Sequence, residues 1–485
     1  MTRPALLALD LGTTSVRALA VSGEGRVLAR AQLPLASRYP RPGWIEQDPE
    51  EMFAGAIDVL REALAAARLD SRDVAGIGLV TQRGSALAWD ARTLRPLAPV
   101  QSWQDQRTAE RVAGFRALGI PINTLATATK LEWWLVHDEA VKAAAREKRL
   151  RLGTPDVWLA ARLSGGALHV TDPGNASCTA LFDVAGGEWA QGLLDLFSVP
   201  REALPEIVPT SGVVGELPAS LLGTPVRVAA IAGDQQASAF AQGIGRPGEA
   251  KLTLGTSAMF DVHTGEAVAA PIAGSYPLAL WWLADGTRAF CLEGAVITAG
   301  SAIDWLIELG IARDAAELSA LATAAGSSAG VRFVPALQGL GTPFMDDAAR
   351  GALLGLSRGS GRGEIARAAL EGIAQRCSDV CEAFRLGALP LRVDGGLAQS
   401  DLLLQALADF SGCEIARARE VETTALGAAF LAGLATGVFD SAAACREALP
   451  SPAIFAPRIA AAERETARER WREALARVAS QSPSG

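Results

Sequence analysis

The sequence lacks the features that mark several protein classes. No stretch approaches about 20 uninterrupted apolar residues, the length that a membrane-crossing helix needs. There is no basic stripe, and 53 acidic against 45 basic residues give a net charge of −8. These absences argue against a membrane protein and a nucleic-acid binder. The apolar run near the N-terminus is shorter than a signal-peptide core, so we expect a cytoplasmic protein.

Cysteine and histidine are also scarce. The 6 cysteines are scattered over 485 residues, without the density of a secreted disulfide scaffold. The 3 histidines share no metal-site or catalytic-triad spacing. Histidine and cysteine chemistry is therefore not expected here.

Two common nucleotide-binding signatures are missing, because no Gly-Lys-Ser/Thr and no GxGxxG opens a helix. Instead, "ALLALDLGTTSVRALAVSGEGRVLARAQLPL" predicts three β segments joined by glycine turns. Asp10, Gly12, Thr13 and Thr14 fall at the first turn. Such a turn can be an ordinary hairpin, or it can offer N–H groups and hydroxyls to phosphate oxygens while the carboxylate holds magnesium through water.

The turn recurs in "LTLGTSAMFDV", where Gly255 and Thr256 repeat the pattern of Gly12 and Thr13. Two copies, one near the start of each half, suggest duplicated domains that face a shared phosphate chain. A length of 485 residues also favours two domains. We place them at residues 1–242 and 243–485.

Three further clusters have strand ends next to polar or glycine residues. "VRVAAIAGDQQASAF" puts Asp234 and Gln235 where a strand meets a helix, so Asp234 is either a general base or a helix N-cap. "LRVDGGLAQSDLLLQ" has Gly395 and Gly396 where a ligand could approach the backbone. "VAGIGLVTQRGSALAWD" predicts a strand, Arg83 at its end, and a returning strand; Arg83 is either a ligand contact or a surface charge.

In this order the motifs resemble the FGGY carbohydrate kinases of the actin and hexokinase-like superfamily, most closely the glycerol kinases among them. "ATKLEWWL", "GLGTPFMDDAARGALLGL", "GEIARAALEGIA" and "TTALGAAFLAGLA" extend the resemblance from Leu6 to about Gly437. It implies an α/β fold of two actin/hexokinase-like (ribonuclease H-like) domains with a catalytic cleft between them. The cleft would close over ATP, Mg²⁺ and a small polyol or sugar. Relatives are commonly homodimers or homotetramers.

The resemblance also implies roles by motif position. Asp234 would be the catalytic base and Asp10 the carboxylate on the magnesium side. The substrate would contact Arg83, Gly84, Trp103, Asp234 and Gln235. The nucleotide would contact Gly12, Thr13, Thr14, Arg17, Gly255, Thr256, Gly300, Ile303, Gly395, Gly396 and Gln399.

The substrate side departs from the glycerol kinase pattern, in which an arginine-glutamate pair and a tyrosine help to hold the polyol. Gly84 stands in the glutamate's place, and "LGIPINTLATATK" has no tyrosine. A lost charged acceptor is worth about 1.5 to 3 kcal/mol. Gly84 would also open volume in which a longer polyol or a ketose could enter, so we hypothesise an FGGY kinase whose substrate is not securely glycerol.

Three alternatives remain open. One is a pentulose or tetritol/pentitol kinase of the same family. The others are an actin-like ATPase, such as a chaperone or filament protein, and a catalytically idle sugar-binding paralogue. Finally, Trp471, Leu475 and Val478 have helical spacing, which predicts a closing helix that packs on the body of the protein or binds a partner.

Overall fold

The computed structural model describes residues 4–120, 122–272 and 274–480. In that part of the chain, strands and helices are mixed in sequence order. The strands are β1 Ala5–Leu11, β2 Ser15–Val21, β3 Val27–Pro34, β4 Glu46–Gln47, β5 Val74–Thr81, β6 Leu87–Asp90, β7 Val100–Gln101, β8 Leu150–Gly153, β9 Val170–Thr171, β10 Phe182–Asp183, β11 Glu188–Trp189, β12 Glu206–Ile207, β13 Ser211–Leu217, β14 Val226–Gly233, β15 Ala250–Leu254, β16 Ala258–Gly265, β17 Tyr276–Trp282, β18 Arg288–Val296, β19 Arg332–Val334, β20 Ala352–Leu354, β21 Leu391–Asp394, β22 Ile415–Arg417 and β23 Ala453–Phe455.

The helices vary from a single turn to 22 residues. They are α1 Pro49–Ala67, α2 Ala109–Ala117, α3 Thr127–His137, α4 Glu139–Arg146, α5 Pro155–Leu163, α6 Pro173–Ser177, α7 Gln191–Leu196, α8 Ala219–Leu222, α9 Asp234–Ala241, α10 Gly300–Glu308, α11 Ala315–Ala325, α12 Arg362–Ala383, α13 Asp401–Ser411, α14 Thr423–Ala435, α15 Ala442–Glu447 and α16 Ala461–Ala476. None of the described helices is both long and apolar enough to cross a membrane.

The first half of the chain builds a six-stranded sheet in the order β13-β14-β5-β1-β2-β3. The predicted meander is confirmed, because β1, β2 and β3 pair antiparallel in sequence. Strands β5 and β14 then add parallel to β1. The strand expected to return after β5 does not rejoin this sheet, since β6 pairs with β8 in a separate ribbon.

Strand β1 shows why this sheet forms. Its side chains alternate between the two faces, and both faces are covered. Leu7, Leu9 and Leu11 belong to the apolar cluster that includes α1, whereas Leu6 and Ala8 belong to the cluster that includes α14. A strand buried on both faces has a continuous apolar sequence, as ALLALDL has.

The second half builds a seven-stranded sheet in the order β17-β18-β16-β15-β21-β22-β23. One face packs against helices α10 to α13 around a core that includes Leu252, Phe260 and Ile373. The β15 and β16 strands form an antiparallel hairpin, so the repeated strand-turn-strand pattern is confirmed in both halves.

Helix α14 belongs to the second half of the chain but packs against the first half. It packs against α9 and against β1, β5 and β14 of the first sheet. The approach is close: a Cβ at Gly427 would lie 1.9 Å from the Ala237 carbonyl oxygen, and one at Gly78 would lie 2.1 Å from that of Ala428. The alanine and glycine residues of this helix therefore allow it to pack closely on the first sheet.

Candidate active site

Three parallel strands end side by side at one edge of the first sheet, where Leu11, Thr81 and Gly233 are neighbours in register. Ligands of open α/β sheets bind beyond the carboxyl ends of such strands. The segments that follow these strands carry many of the predicted site residues, namely Gly12, Thr13, Thr14, Arg83, Gly84, Asp234 and Gln235.

Asp234 is the first residue of α9, and Gly233 before it occupies the N-cap position. The interpretation of Asp234 as the N-cap is therefore wrong. Its Oδ1 accepts hydrogen bonds from the Gln235 backbone N–H at 2.8 Å and from Nε of Arg83 at 3.1 Å. Among the described residues, none donates to Oδ2, and the side chain is 33% exposed. One oxygen is thus fixed while the other is available to a substrate hydroxyl.

Arg83 lies at the end of β5 with its side chain only 10% exposed, so it is not a surface charge. Its three nitrogens each have a partner. Besides Nε on Asp234, Nη1 donates to Sγ of Cys178 at 3.3 Å and Nη2 donates to Oε2 of Glu293 at 2.6 Å. A Cβ at Gly233 would lie 2.6 Å from Cδ of Arg83, so glycine is what allows this side chain to lie across the strand end.

Gly84 does not open volume beside Arg83. It has a φ of +74°, and a Cβ here would lie 2.4 Å from the Leu125 carbonyl oxygen and 3.3 Å from Cβ of Trp103. The reason offered above for a longer substrate is therefore wrong at this position. The backbone of Leu125 fills the space.

Lys130 holds that backbone in place. Its buried Nζ donates to the carbonyl oxygens of Thr124 at 2.6 Å, Ala126 at 3.2 Å and Leu125 at 3.3 Å. Burial lowers the pKa of the Lys130 ammonium to about 7, an effect that the nearby Asp105 opposes. The lysine of the "ATKLEWWL" motif thus fixes the segment that covers Gly84.

We expect Gly84→Ala to destabilise the protein and to raise the KM for the sugar or polyol. A positive φ costs a non-glycine residue about 1 to 3 kcal/mol, and the new methyl group would displace Leu125. Gly310→Ala is the matched control, because Gly310 has a φ of +78° with no atom within 4 Å of the added Cβ. Thermal unfolding and KM should be measured for both variants. Equal unfolding shifts and an unchanged KM would contradict the close contact.

Trp103, which the sequence predicts to contact the substrate, is hydrogen-bonded to the turn at Gly12 and Thr13. Its indole Nε1 donates to Oγ1 of Thr13 at 2.9 Å, and the Thr13 hydroxyl in turn donates to Oε1 of Gln82 at 3.2 Å. Gln47 donates to the Thr13 carbonyl oxygen at 2.6 Å. The turn itself closes through a hydrogen bond from Gly12 N–H to the Ser15 carbonyl at 3.0 Å. The geometry of this turn is therefore tied to that of Trp103.

Asp10 is buried at the end of β1 and 4% exposed. Burial raises the pKa of its carboxyl to about 7; Arg17 opposes this, while Asp234 and Glu422 raise the pKa further. A cation would relieve this group of acids. Among the described residues there is no cluster of three or more metal-ligating side chains. An all-oxygen site with one or two carboxylates, completed by water and phosphate, suits Mg²⁺.

Arg17 lies between two of these acids. Its Nη1 is 2.9 Å from Oε2 of Glu422 and 3.6 Å from Oδ2 of Asp10. Glu422 stands just before α14, so the second half of the chain reaches the first phosphate turn. A phosphate group at Arg17 would compete with these carboxylates for the guanidinium.

The second turn, at Gly255 and Thr256, is in close backbone contact with two other glycines, Gly300 and Gly395. A Cβ at Gly300 would lie 2.6 Å from the Gly255 carbonyl oxygen, and Gly300 N–H donates to that oxygen at 3.0 Å. Gly395 has a φ of +93°, and its Cβ would lie 2.4 Å from the Leu254 carbonyl oxygen. Protein backbone, and not a ligand, is the close neighbour that Gly395 requires.

The remaining predicted nucleotide residues fall into two groups. Thr14, Thr256, Gly396 and Gln399 are exposed, and no atom lies within 4 Å of a Cβ at Gly396. These residues are accessible to a nucleotide. Ile303, by contrast, is 2% exposed and its side chain belongs to the core of the second sheet.

The second sheet contributes charged residues whose roles the sequence did not reveal. Lys251 donates to Oε1 of Gln235 at 2.6 Å and is 3.1 Å from Oδ2 of Asp261. Glu293 contacts Arg83 and belongs to the "LEGAV" stretch. Nothing in the sequence of this stretch indicates which partner the glutamate contacts.

The arrangement could bind a hydroxyl beside Arg83 and accept its proton on Oδ2 of Asp234, and each half of the chain contributes a glycine turn of the kind that can bind phosphate. Residues 5–241 match the family model described as the FGGY family of carbohydrate kinases, N-terminal domain, and residues 250–436 match its C-terminal domain.

Known proteins share this architecture. The chain is 44% identical to a glycerol kinase of Aromatoleum aromaticum, with 98% of each chain covered. It is similar to the crystal structure of Plasmodium falciparum glycerol kinase with ADP, with a TM-score of 0.90, 27% identity and 99% of each chain covered. A ligand-bound xylulose kinase of Lactobacillus acidophilus shares the fold, with a TM-score of 0.85 at 21% identity over 97% of this chain and 98% of that one. The predicted α/β fold class is confirmed.

Proposed function

Because the chain belongs to the FGGY family of carbohydrate kinases, we propose that it transfers the γ-phosphate of ATP to a hydroxyl of a small polyol of about glycerol size. The observation that carries this proposal is the Arg83 and Asp234 pair at the ends of β5 and β14, beside the Gly12 turn. The relatives named glycerol kinase over nearly the whole chain support it.

In the proposed reaction, Oδ2 of Asp234 accepts the proton of the substrate hydroxyl as its oxygen attacks the γ-phosphorus. The Gln235 N–H and Arg83 fix the other oxygen and so orient the carboxylate. Arg83 has five N–H groups and three named partners, which leaves donors for the substrate. Closure of the two halves would exclude water, which would otherwise hydrolyse ATP.

The phosphate chain would lie between the two turns, against Gly12, Thr13, Thr14 and Arg17 on one side and Gly255 and Thr256 on the other. Magnesium bound with ATP neutralises charge on the phosphates. Asp10 is the residue we propose to hold it, through water. The adenosine would lie toward the exposed Gly396 and Gln399, near the start of α10 at Gly300.

Glycerol is favoured over a longer substrate by the position of the Leu125 backbone. Its carbonyl oxygen would lie 2.4 Å from a Cβ at Gly84, so the absent side chain leaves no open volume on that side. A pentulose, a tetritol or a pentitol remains the second candidate, because neither a glutamate at position 84 nor a tyrosine in residues 118–130 is present to select glycerol.

The test is ADP release measured with glycerol, erythritol, xylitol, xylulose and ribulose, each against an ATP-only blank. We expect the highest kcat/KM with glycerol and a blank close to zero. A higher value with erythritol, xylitol, xylulose or ribulose would support the second candidate. ATP turnover without any polyol would support an actin-like ATPase, and no turnover under any condition would support a catalytically idle paralogue.

A further inference from the structure

Four neighbouring strands of the second sheet, β15, β16, β18 and β17, place a row of polar residues against the proposed substrate site. Lys251 stands opposite Asp261, which stands opposite Glu293, which stands opposite Tyr276. Cross-strand partners project from the same face of a sheet. Lys251 and Glu293 reach Gln235 and Arg83 of the first half. This face of the second sheet therefore forms a wall of the site that holds Asp234.

The Glu293 carboxylate is linked to the proposed base, Asp234, by one side chain, because the Arg83 guanidinium contacts both carboxylates. Arg83 donates Nη2 to Oε2 of Glu293 at 2.6 Å and Nε to Oδ1 of Asp234 at 3.1 Å. Nε and Nη2 form one edge of the guanidinium, the edge that binds paired oxygens. Two carboxylates from different halves of the chain therefore approach the same edge of Arg83.

Glu293 also keeps capacity for a further partner. Its side chain is 12% exposed, and no described residue donates to its Oε1. A carboxylate has about four acceptor sites on its two oxygens. A hydroxyl bound beside Arg83 could therefore donate a hydrogen bond to Oε1 of Glu293.

We propose that Glu293 is a substrate-binding residue that accepts a hydrogen bond from a polyol hydroxyl, and that the Arg83 and Glu293 pair does the work that an adjacent arginine-glutamate pair would do if position 84 were glutamate. This inference rests on the proposed function. It makes the polyol a ligand of both halves of the chain, with the base on one side of Arg83 and the acceptor on the other.

The test combines Glu293→Gln with substrates that lack one hydroxyl. Glutamine keeps the shape and an uncharged acceptor for Arg83, so the fold should persist, as circular dichroism will show. We expect kcat/KM for glycerol to fall about tenfold to a hundredfold, with the KM for ATP changed less than twofold. Glu293→Asp should recover part of the loss. Glu266→Gln, an exposed residue just after β16, is the control.

Two analogues separate substrate contact from a structural role: 1,2-propanediol lacks a terminal hydroxyl and 1,3-propanediol lacks the central one. If Glu293 contacts one of these hydroxyls, Glu293→Gln should scarcely affect the analogue that lacks it, while glycerol suffers the full loss. Equal losses for glycerol and both analogues would overturn the inference. Failure of the wild-type protein to phosphorylate any polyol would instead refute the proposed function.

Discussion

Asp234→Asn is expected to lower kcat by about a hundredfold to ten-thousandfold, the range that a positioned general base contributes. The amide cannot accept the proton of the attacking hydroxyl. It keeps the shape of the carboxylate and an oxygen that can still accept from the Gln235 N–H and Arg83, as Oδ1 does now. ATP affinity should therefore be nearly unchanged. Single-turnover phosphoryl transfer and nucleotide binding by calorimetry measure the two quantities separately.

The control is Asp58→Asn, which makes the same substitution at an exposed position on α1. It should leave both kcat and ATP affinity as in the wild type. A second comparison is the ATP-only blank, since loss of the base should not create substrate-independent hydrolysis. Turnover by Asp234→Asn within a few-fold of the wild type would show that the proton goes elsewhere and that Asp234 is not the base.

Features that depend on local sequence could be predicted. The β1 to β3 meander and the second hairpin were predicted because apolar runs and glycine turns specify them over a few residues. The position of Asp234 between β14 and α9 follows from the same local pattern. In each case the residues that decide the structure are adjacent in the chain.

Features that depend on distant segments could not be predicted. Glu293 is 210 positions from Arg83, and Glu422 is 405 positions from Arg17. The space beside Gly84 also depends on a separate segment, that of Leu125, which Lys130 holds in place. A sequence shows that a side chain is missing at position 84, but only the fold shows which atoms fill its place.

The contacts of distant segments also decide what the glycine at position 84 means for the substrate. Taken alone, this glycine suggests a lost hydrogen-bond acceptor and a larger pocket. In the fold, the backbone of Leu125 fills the volume. Apart from Asp234, the carboxylate that contacts this edge of Arg83 is that of Glu293 on β18. At position 84, therefore, no extra volume is open to a longer substrate, and the acidic group beside Arg83 comes from Glu293 instead.

The second large effect concerns the closing helix, α16, whose predicted packing on the protein is confirmed. Trp471 and Leu475 are buried in a cluster with Val334 and Leu340, and Val478 packs against it. A buried carboxylate anchors the helix. Asp379 on α12 accepts hydrogen bonds from Arg376, from Nη2 of Arg468 at 2.6 Å and from Nε1 of Trp471 at 3.0 Å.

We expect Asp379→Ala to lower the free energy of unfolding by about 3 to 5 kcal/mol, the cost of breaking a buried ion pair by removing one partner. Arg376 and Arg468 are 1% and 5% exposed, and Arg376 would keep no carboxylate partner among the described residues.

The control is Asp401→Ala, whose pair with Arg417 is exposed, with Asp401 74% accessible. That pair should contribute about 1 kcal/mol or less. Guanidinium unfolding should be followed by tryptophan fluorescence and circular dichroism together, because coincident transitions are required before a free energy is assigned. If Asp379→Ala costs no more than Asp401→Ala, the buried network does not anchor the helix, and the apolar contacts of Trp471 and Leu475 must hold it instead.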